Sequence, residues 1–290
     1  MRFVISGIYL AFGLPLCIFS QEFRVVPEKA AQGELLRVIG NSASQGAKLN
    51  GRTVRLHPQS QPGESLGLMP IPVLMKPGEY RLEWLDAHGT VLHAQTFVVA
   101  NAHYPAQNIV LTKSLSQLRS TPEERDRVSE FQKGESTIRY WSFPLHAPLD
   151  GCLTSLFGVR RLHNGKPTGD FHAGLDQRGA SGTPIHAAAA GDVKLAGQFA
   201  LHGGTVGIDH GQGLKSIYLH MSEIAAKEGD HVQAGDVIGY VGSTGRSTGP
   251  HLHWALYAHS EPVNPLQWLH LTPCAKQSAP KRVAKRRPTK

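Results

Sequence analysis

Short apolar runs separated by turn residues fill the chain from about Gln21 to Thr112, including ELLRVIG, TVRLHP and KPGEYRLEWLDAHGTVLHAQTFVV. In EYRLEWL, apolar and polar positions alternate, so Tyr80, Leu82 and Trp84 fall on one face of a strand. The turn DAHG then leads into a second run ending in Phe97, Val98 and Val99, which is the pattern of a hairpin. This stretch predicts a small β-sandwich, immunoglobulin-like in general architecture. It carries no cluster of chemically reactive side chains, so a binding or positioning module is the default reading.

The pattern changes after Lys113. Thr121-Pro122-Glu123-Glu124 combines a capping threonine, a proline at the first helical position and a glutamate at the third, which is a helix start. The helix that follows, EERDRVSEFQKG, is so polar that it predicts a connector or a mobile flap over the next domain. Pro144 and Pro148 mark a boundary. From Cys152 to Leu271 the runs are again short and β-like, with glycine near most strand ends and no ordinary amphipathic helix. The expected organisation is a module over 21–112, a linker with a short helix over 113–150, a second β domain over 151–272 and a tail over 273–290. Thirty-one glycines and nineteen prolines fit a mostly β protein.

The two ends alter the picture. Residues 1–20, MRFVISGIYLAFGLPLCIFS, place one arginine before an apolar run too short for a typical membrane span, and so read as an export signal. Lipidation at Cys17 and an uncleaved anchor are the alternatives. Export leaves Cys152 and Cys274 in an oxidising compartment, where they are expected to pair, the alternative being two separate buried thiols. A bridge there would close a loop worth up to about 4–5 kcal/mol. The formal charge is +8, and seven of the basic residues lie between Lys276 and Lys290 with no acid among them. That tail predicts attraction to anionic envelope surfaces, or no more than a solvated appendage. Export argues against nucleic acid as a partner.

Candidate chemistry centres on TGPHLHWAL, where His251 and His253 stand two residues apart and would share one face of a strand. FHAGLDQRG supplies His172 and Asp176, which at a spacing of four would project together from another strand, with Gly174 leaving the face uncrowded. His172, Asp176 and one of the HxH pair make a nitrogen and carboxylate set suited to zinc, with a fourth position left for water. His163, His186, His202, His210 and His231 lack a partner at metal spacing, with His210 read as supporting a turn and His231 as exposed. No HExxH occurs. EGDHVQAGDVIGYVGS is similar to lipoyl-carrier hairpins but lacks the lysine they modify.

Taken together, His172-Ala-Gly-Leu-Asp176, Tyr218-Leu-His220 and Gly242-Ser-Thr-Gly-Arg-Ser-Thr-Gly-Pro-His251-Leu-His253 resemble the lysostaphin/LytM-type zinc metallopeptidases, which cut peptide cross-bridges of peptidoglycan. The likeness runs over about 155–268, from Phe157-Gly158-Val159-Arg160 and Asn164-Gly165 to Pro262-Val263-Asn264-Pro265. It implies a C-terminal LytM-type (duplicated hybrid motif) β-sheet groove. It further implies one zinc held by His172, Asp176 and His253, His220 and His251 as assisting catalytic histidines, and peptidoglycan peptide stems as substrate. The preceding small β domain is similar to exported members from Gram-negative bacteria, which implies a periplasmic location and a D-alanyl rather than a glycyl cross-link. Some members have lost zinc ligands and activate other wall hydrolases instead. Here all five positions are filled.

Overall fold

A computed structural model describes residues 22–269, 271, 273 and 274. The expected export signal with Cys17, and the basic tail beyond Cys274, lie outside the described residues. The N-terminal module is built from β1 (Arg24–Val26), β2 (Ala30–Ala31), β3 (Leu35–Asn41), β4 (Gly46–Leu49), β5 (Arg52–Arg55), β6 (His57–Pro58), β7 (Glu64–Pro70), β8 (Gly78–Leu85) and β9 (Val91–Ala100). They form two sheets, ordered β1-β3-β7-β6 and β2-β9-β8-β4-β5. The strands are thus divided between two layers that close on one apolar interior, as in a β-sandwich. The alternation seen in sequence fills the space between them: Leu36 and Val38 of β3 pack with Leu82 and Trp84 of β8 and with Phe97 and Val99 of β9. Trp84 satisfies its indole N–H on the Ile39 carbonyl of the facing sheet at 2.9 Å.

The connecting segment contains β10 (Ala106–Ile109), α1 (Lys113–Gln117) and α2 (Pro122–Lys133). Thr121 caps α2 through the expected box, its hydroxyl accepting from Glu124 N–H while the Glu124 carboxylate accepts from Thr121 N–H. The expectation of a mobile flap does not hold. Phe131 on α2 is buried among Leu195, Ile217, Leu219 and Ala255. Gly207 makes room for it, since a Cβ there would come within 2.8 Å of the ring. A helix with so few apolar positions docks because the one large one inserts, and the Glu124 carboxylate is buried beside it.

The C-terminal domain comprises β11 (Leu153–Ser155), β12 (Arg160–His163), β13 (Lys166–Phe171), β14 (Leu175–Arg178), β15 (Pro184–His186), β16 (Gly191–Phe199), β17 (Gly203–Gly211), β18 (Leu214–Met221), β19 (Glu223–Ile224), β20 (His231–Val232), β21 (Val237–Tyr240), β22 (His251–Ala258) and β23 (Glu261–Val263). Its main sheet runs β11-β14-β22-β18-β17-β16-β20, with β23 on β22, and a smaller sheet runs β15-β21-β19. A third sheet, β10-β12-β13, draws in the connecting segment, because β10 pairs in parallel with β12. Four residues that sequence had placed in the first module therefore build the second. Cys152 and Cys274 are bonded to each other and tie the two ends of this domain.

The two domains share apolar packing. Leu35, Leu66, Leu68 and Val73 of the sandwich belong to one cluster with Leu149, Leu153 and Phe157. The backbone N–H of Leu35 donates to Gln267 Oε1 at 2.6 Å, and Arg52 pairs with Glu261 at 2.7 Å. Among the described residues no helix is long and apolar enough to cross a membrane.

Candidate metal centre

Three strands of the main sheet bring the chemistry together. On β14 and β22, Asp176 lies directly across from His253, and on β18 Leu219 pairs with His253 from the other side, leaving His220 at the strand's end. His251 and His253 share a face of β22, as their spacing predicts, and Leu252 and Trp254 are buried on the other. His172 arrives differently from the sequence expectation. It follows β13, and the chain turns before β14 begins at Leu175, so His172 and Asp176 do not share a strand. Gly174, in that turn, lies against the backbone of β22, where an added Cβ would sit 2.3 Å from the Trp254 carbonyl oxygen. The glycine is needed for that close approach rather than to keep a strand face open.

The three ligand atoms nearly touch. Asp176 Oδ1 is 3.0 Å from His172 Nε2 and 2.9 Å from His253 Nδ1, and the two nitrogens are 2.9 Å apart. His172 Nδ1 faces the Leu156 carbonyl at 2.8 Å, and a carbonyl only accepts, so the proton is on Nδ1 and Nε2 offers a lone pair. Electron-pair donors so close together repel one another unless a proton or cation lies among them. One ion can cap such a triangle at the about 2.0–2.2 Å distances zinc makes to nitrogen and carboxylate oxygen. The residues therefore fit the metal that the sequence implies. The other carboxylate oxygen, Asp176 Oδ2, accepts from Arg161 at 3.3 Å, which turns Oδ1 toward the two histidines. Arg161 is itself held by Gln107 on β10 at 3.0 Å. Outer contacts of this kind orient ligands and tune a metal site.

Electrostatics favour an ionised Asp176 and neutral His253 and His220. Burial works against ionisation of Asp176, but His172 and His253 hold it well below the usual carboxylate range. Burial pushes His253 down to about 4. Burial also lowers His220 to about 3, with His253 and His251 adding to the effect. Neutral imidazoles are the form that ligates metal and accepts protons.

His220 and His251 flank the ligands without joining them. His220 Nδ1 donates to the Thr244 carbonyl and His251 Nδ1 to the Gly249 carbonyl, both at 2.8 Å, so each ring presents a bare Nε2. His251 Nε2 stands 3.8 Å from Asp176 Oδ1. The glycine-rich turn over 242–250 is thus the frame that orients both rings.

All five residues lie in one cleft of about 680 Å³, lined also by Gln107 and Asn108 of the connecting segment and by His163, His202 and Arg246. His202 was set aside from sequence for want of a partner at metal spacing, and Arg246 was quoted only as part of the glycine-rich turn. For Arg246 a signal existed, a lone charge inside a glycine-rich turn; for His202 there was none, because its place depends on the β16–β17 hairpin. Glu124, also missed, accepts from Leu201 N–H at 3.1 Å, His202 N–H at 3.0 Å and His202 Nδ1 at 2.5 Å, and so clamps that hairpin to α2. His210 is not a turn support but a core residue bonded to Ala190 and Ser216, while His231 is exposed and paired with Asp192.

Known proteins resemble this chain in sequence and in fold. Residues 170–265 match the model of peptidase family M23. A crystal structure from Pseudomonas aeruginosa assigned to peptidase M23 is 30% identical, with a TM-score of 0.62, over 82% of this chain and 93% of that one. The chain belongs to peptidase family M23. Among curated relatives, the DD-carboxypeptidase/endopeptidase Mpg of Neisseria meningitidis serogroup B is 41% identical over 121 residues, 42% of this chain and 28% of that protein. The peptidoglycan DD-endopeptidase ShyA of Vibrio cholerae is 38% identical over 115 residues, 40% and 27%. A metalloprotease of Haemophilus influenzae without an assigned role is 41% identical over 96 residues, 33% and 20%. The chain thus spans little more than a quarter of the length of the first two.

Proposed function

We propose that this chain is an exported zinc metalloendopeptidase that hydrolyses the peptide cross-links of bacterial peptidoglycan. The observation that carries the reading is the triangle of His172 Nε2, Asp176 Oδ1 and His253 Nδ1, with edges of 2.9–3.0 Å, opening on a cleft that also contains two oriented, non-ligating histidines. Family membership and relatives named as DD-endopeptidases support the substrate class and favour a D-alanyl bond over a glycyl one. The rival role, a non-catalytic activator of other wall hydrolases, fits a site with ligands missing. The convergence of His172, Asp176 and His253 supports the catalytic reading over that one.

Zinc, when bound, supplies Lewis-acid activation of a water and of the scissile carbonyl. The chain's own part follows from its tautomers. His220 Nε2 and His251 Nε2 are acceptors fixed by backbone carbonyls behind them, so either can take a proton from the attacking water. The ring that has gained it can then donate to the oxyanion or to the departing amine. Arg161 keeps Asp176 from rotating out of the ligand plane. Periplasmic export rests on residues 1–20 and on the disulfide, which suits an oxidising compartment. The basic tail suits contact with an anionic envelope surface.

The test is zinc content of the purified full chain together with release of soluble muropeptides from peptidoglycan. About one zinc per chain and new peptide ends are expected. His253→Ala should lose both. His220→Ala should keep its zinc while its rate falls on the order of 10²–10⁴-fold. Undiminished hydrolysis by the His253 variant overturns the assignment, and zinc without cleavage in the wild type shifts the reading to the activator.

A further inference from the structure

Arg246 is half-buried in the wall of the metal cleft, and its guanidinium makes no hydrogen bond or ion pair with any described residue. Its neighbour in the cleft, Arg161, is by contrast fully engaged by Asp176 and Gln107. The backbone that carries the unpaired group is nevertheless anchored. The backbone N–H of Arg246 donates to the Leu201 carbonyl at 2.9 Å, and Leu201 is held by the buried Glu124 carboxylate. The surroundings are mixed, with Arg119 and Arg161 as cations and exposed Asp170 as an anion. Burial, Arg119 and Arg161 all lower Arg246 from the ordinary arginine value, and exposed Asp170 alone opposes them. His163, in the same wall, is lowered by burial and by Arg246 and Arg161.

A guanidinium that has lost part of its water and has no hydrogen-bond acceptor among the described residues is poorly satisfied until an anion arrives. Its planar fork matches a carboxylate in bidentate geometry. We propose that Arg246 is a substrate-binding residue whose guanidinium receives a free carboxylate of the peptide bound in the cleft. The inference rests on the peptidoglycan reading for the source of that carboxylate, since stem peptides carry acidic residues and a free chain end. It adds a specificity rule: peptides whose carboxylates are amidated should be poor ligands.

The experiment measures calorimetric binding of two synthetic stem peptides, one with free carboxylates and one amidated, to the chelated full chain, which cannot turn them over. Wild type should prefer the free peptide by on the order of tenfold or more, the value of one charge-assisted pair. Arg246→Gln should bind the two peptides alike and Arg246→Lys should keep part of the preference, with both variants retaining the wild-type melting temperature. A purely structural role for Arg246 would weaken both peptides together. Equal or absent binding of the two peptides by wild type, or wild-type preference in the Gln variant, overturns the proposal. Zinc-loaded wild type on the free peptide tests the activity separately: no cleavage there counts against the endopeptidase reading, while the binding preference still decides Arg246.

Discussion

His210 shows how far a single side chain can depart from its local sequence signal. It is buried completely, its Nδ1 donating to the Ala190 carbonyl at 2.8 Å and its Nε2 facing Ser216 Oγ at 2.7 Å. Burial pushes its pKa down to about 4, against about 6.5 in an unfolded chain. The unfolded state therefore binds the extra proton first as pH falls. The stabilising contribution is complete above about pH 6.5 and is lost as pH falls toward 4, amounting to roughly 3 kcal/mol. His210→Gln should flatten that part of the acid limb. Urea unfolding of wild type and variant from pH 7 to 4 checks it, and parallel curves would refute a neutral buried imidazole. At the same scale, the candidate ligands His172, Asp176 and His253, which the fold brings together, were legible because metal chemistry restricts residue type. Arg161 and Glu124 were not, since nothing nearby in sequence marks what an arginine or a capping glutamate will meet.

For elements, α2 is the instructive case. Its start was readable from Thr121 to Glu124, because capping is a local matter, but its docking was not. A polar helix with one inserted phenylalanine has almost no periodic apolar signal, and Gly207, which admits the ring, lies on a strand 76 residues after Phe131. Phe131→Ala should cost about 3–5 kcal/mol, since it empties a packed site against β16, β18 and β22. Thermal unfolding reads the loss, and a change below about 1 kcal/mol would mean that the helix is not anchored by this ring. Because α2 also clamps Leu201 and His202 through Glu124, the same variant should speed amide exchange in the β16–β17 hairpin.

Over the whole molecule, the bond between Cys152 and Cys274 spans a sequence separation of 122 and closes the C-terminal domain on itself. Replacing both cysteines with serine should lower stability by about 2–5 kcal/mol, mostly by freeing the unfolded chain, while leaving the zinc stoichiometry near one at moderate temperature. Denaturant titration and metal analysis of the double variant check the two parts separately. Loss of zinc at full folding would show instead that the bridge shapes the site. The sandwich and the C-terminal domain share an apolar cluster and the Arg52–Glu261 pair, so the two are expected to unfold together rather than in separate steps.

The features readable before folding are those governed by short-range rules. Alternation set the β class and the strands that bury Leu82, Trp84 and Phe97; capping residues set the start of α2; three spaced motifs named the five residues of the centre. Where distant segments meet was settled by the packed fold. β10 joins the sheet of the second domain, a turn rather than a strand brings His172 to Asp176, and Arg246 lines the cleft with no hydrogen-bond or ion-pair partner among the described residues. The physical reason is that backbone pairing and side-chain alternation depend on near neighbours along the chain. Desolvation, charge pairing and close packing depend on whatever the fold places across the gap.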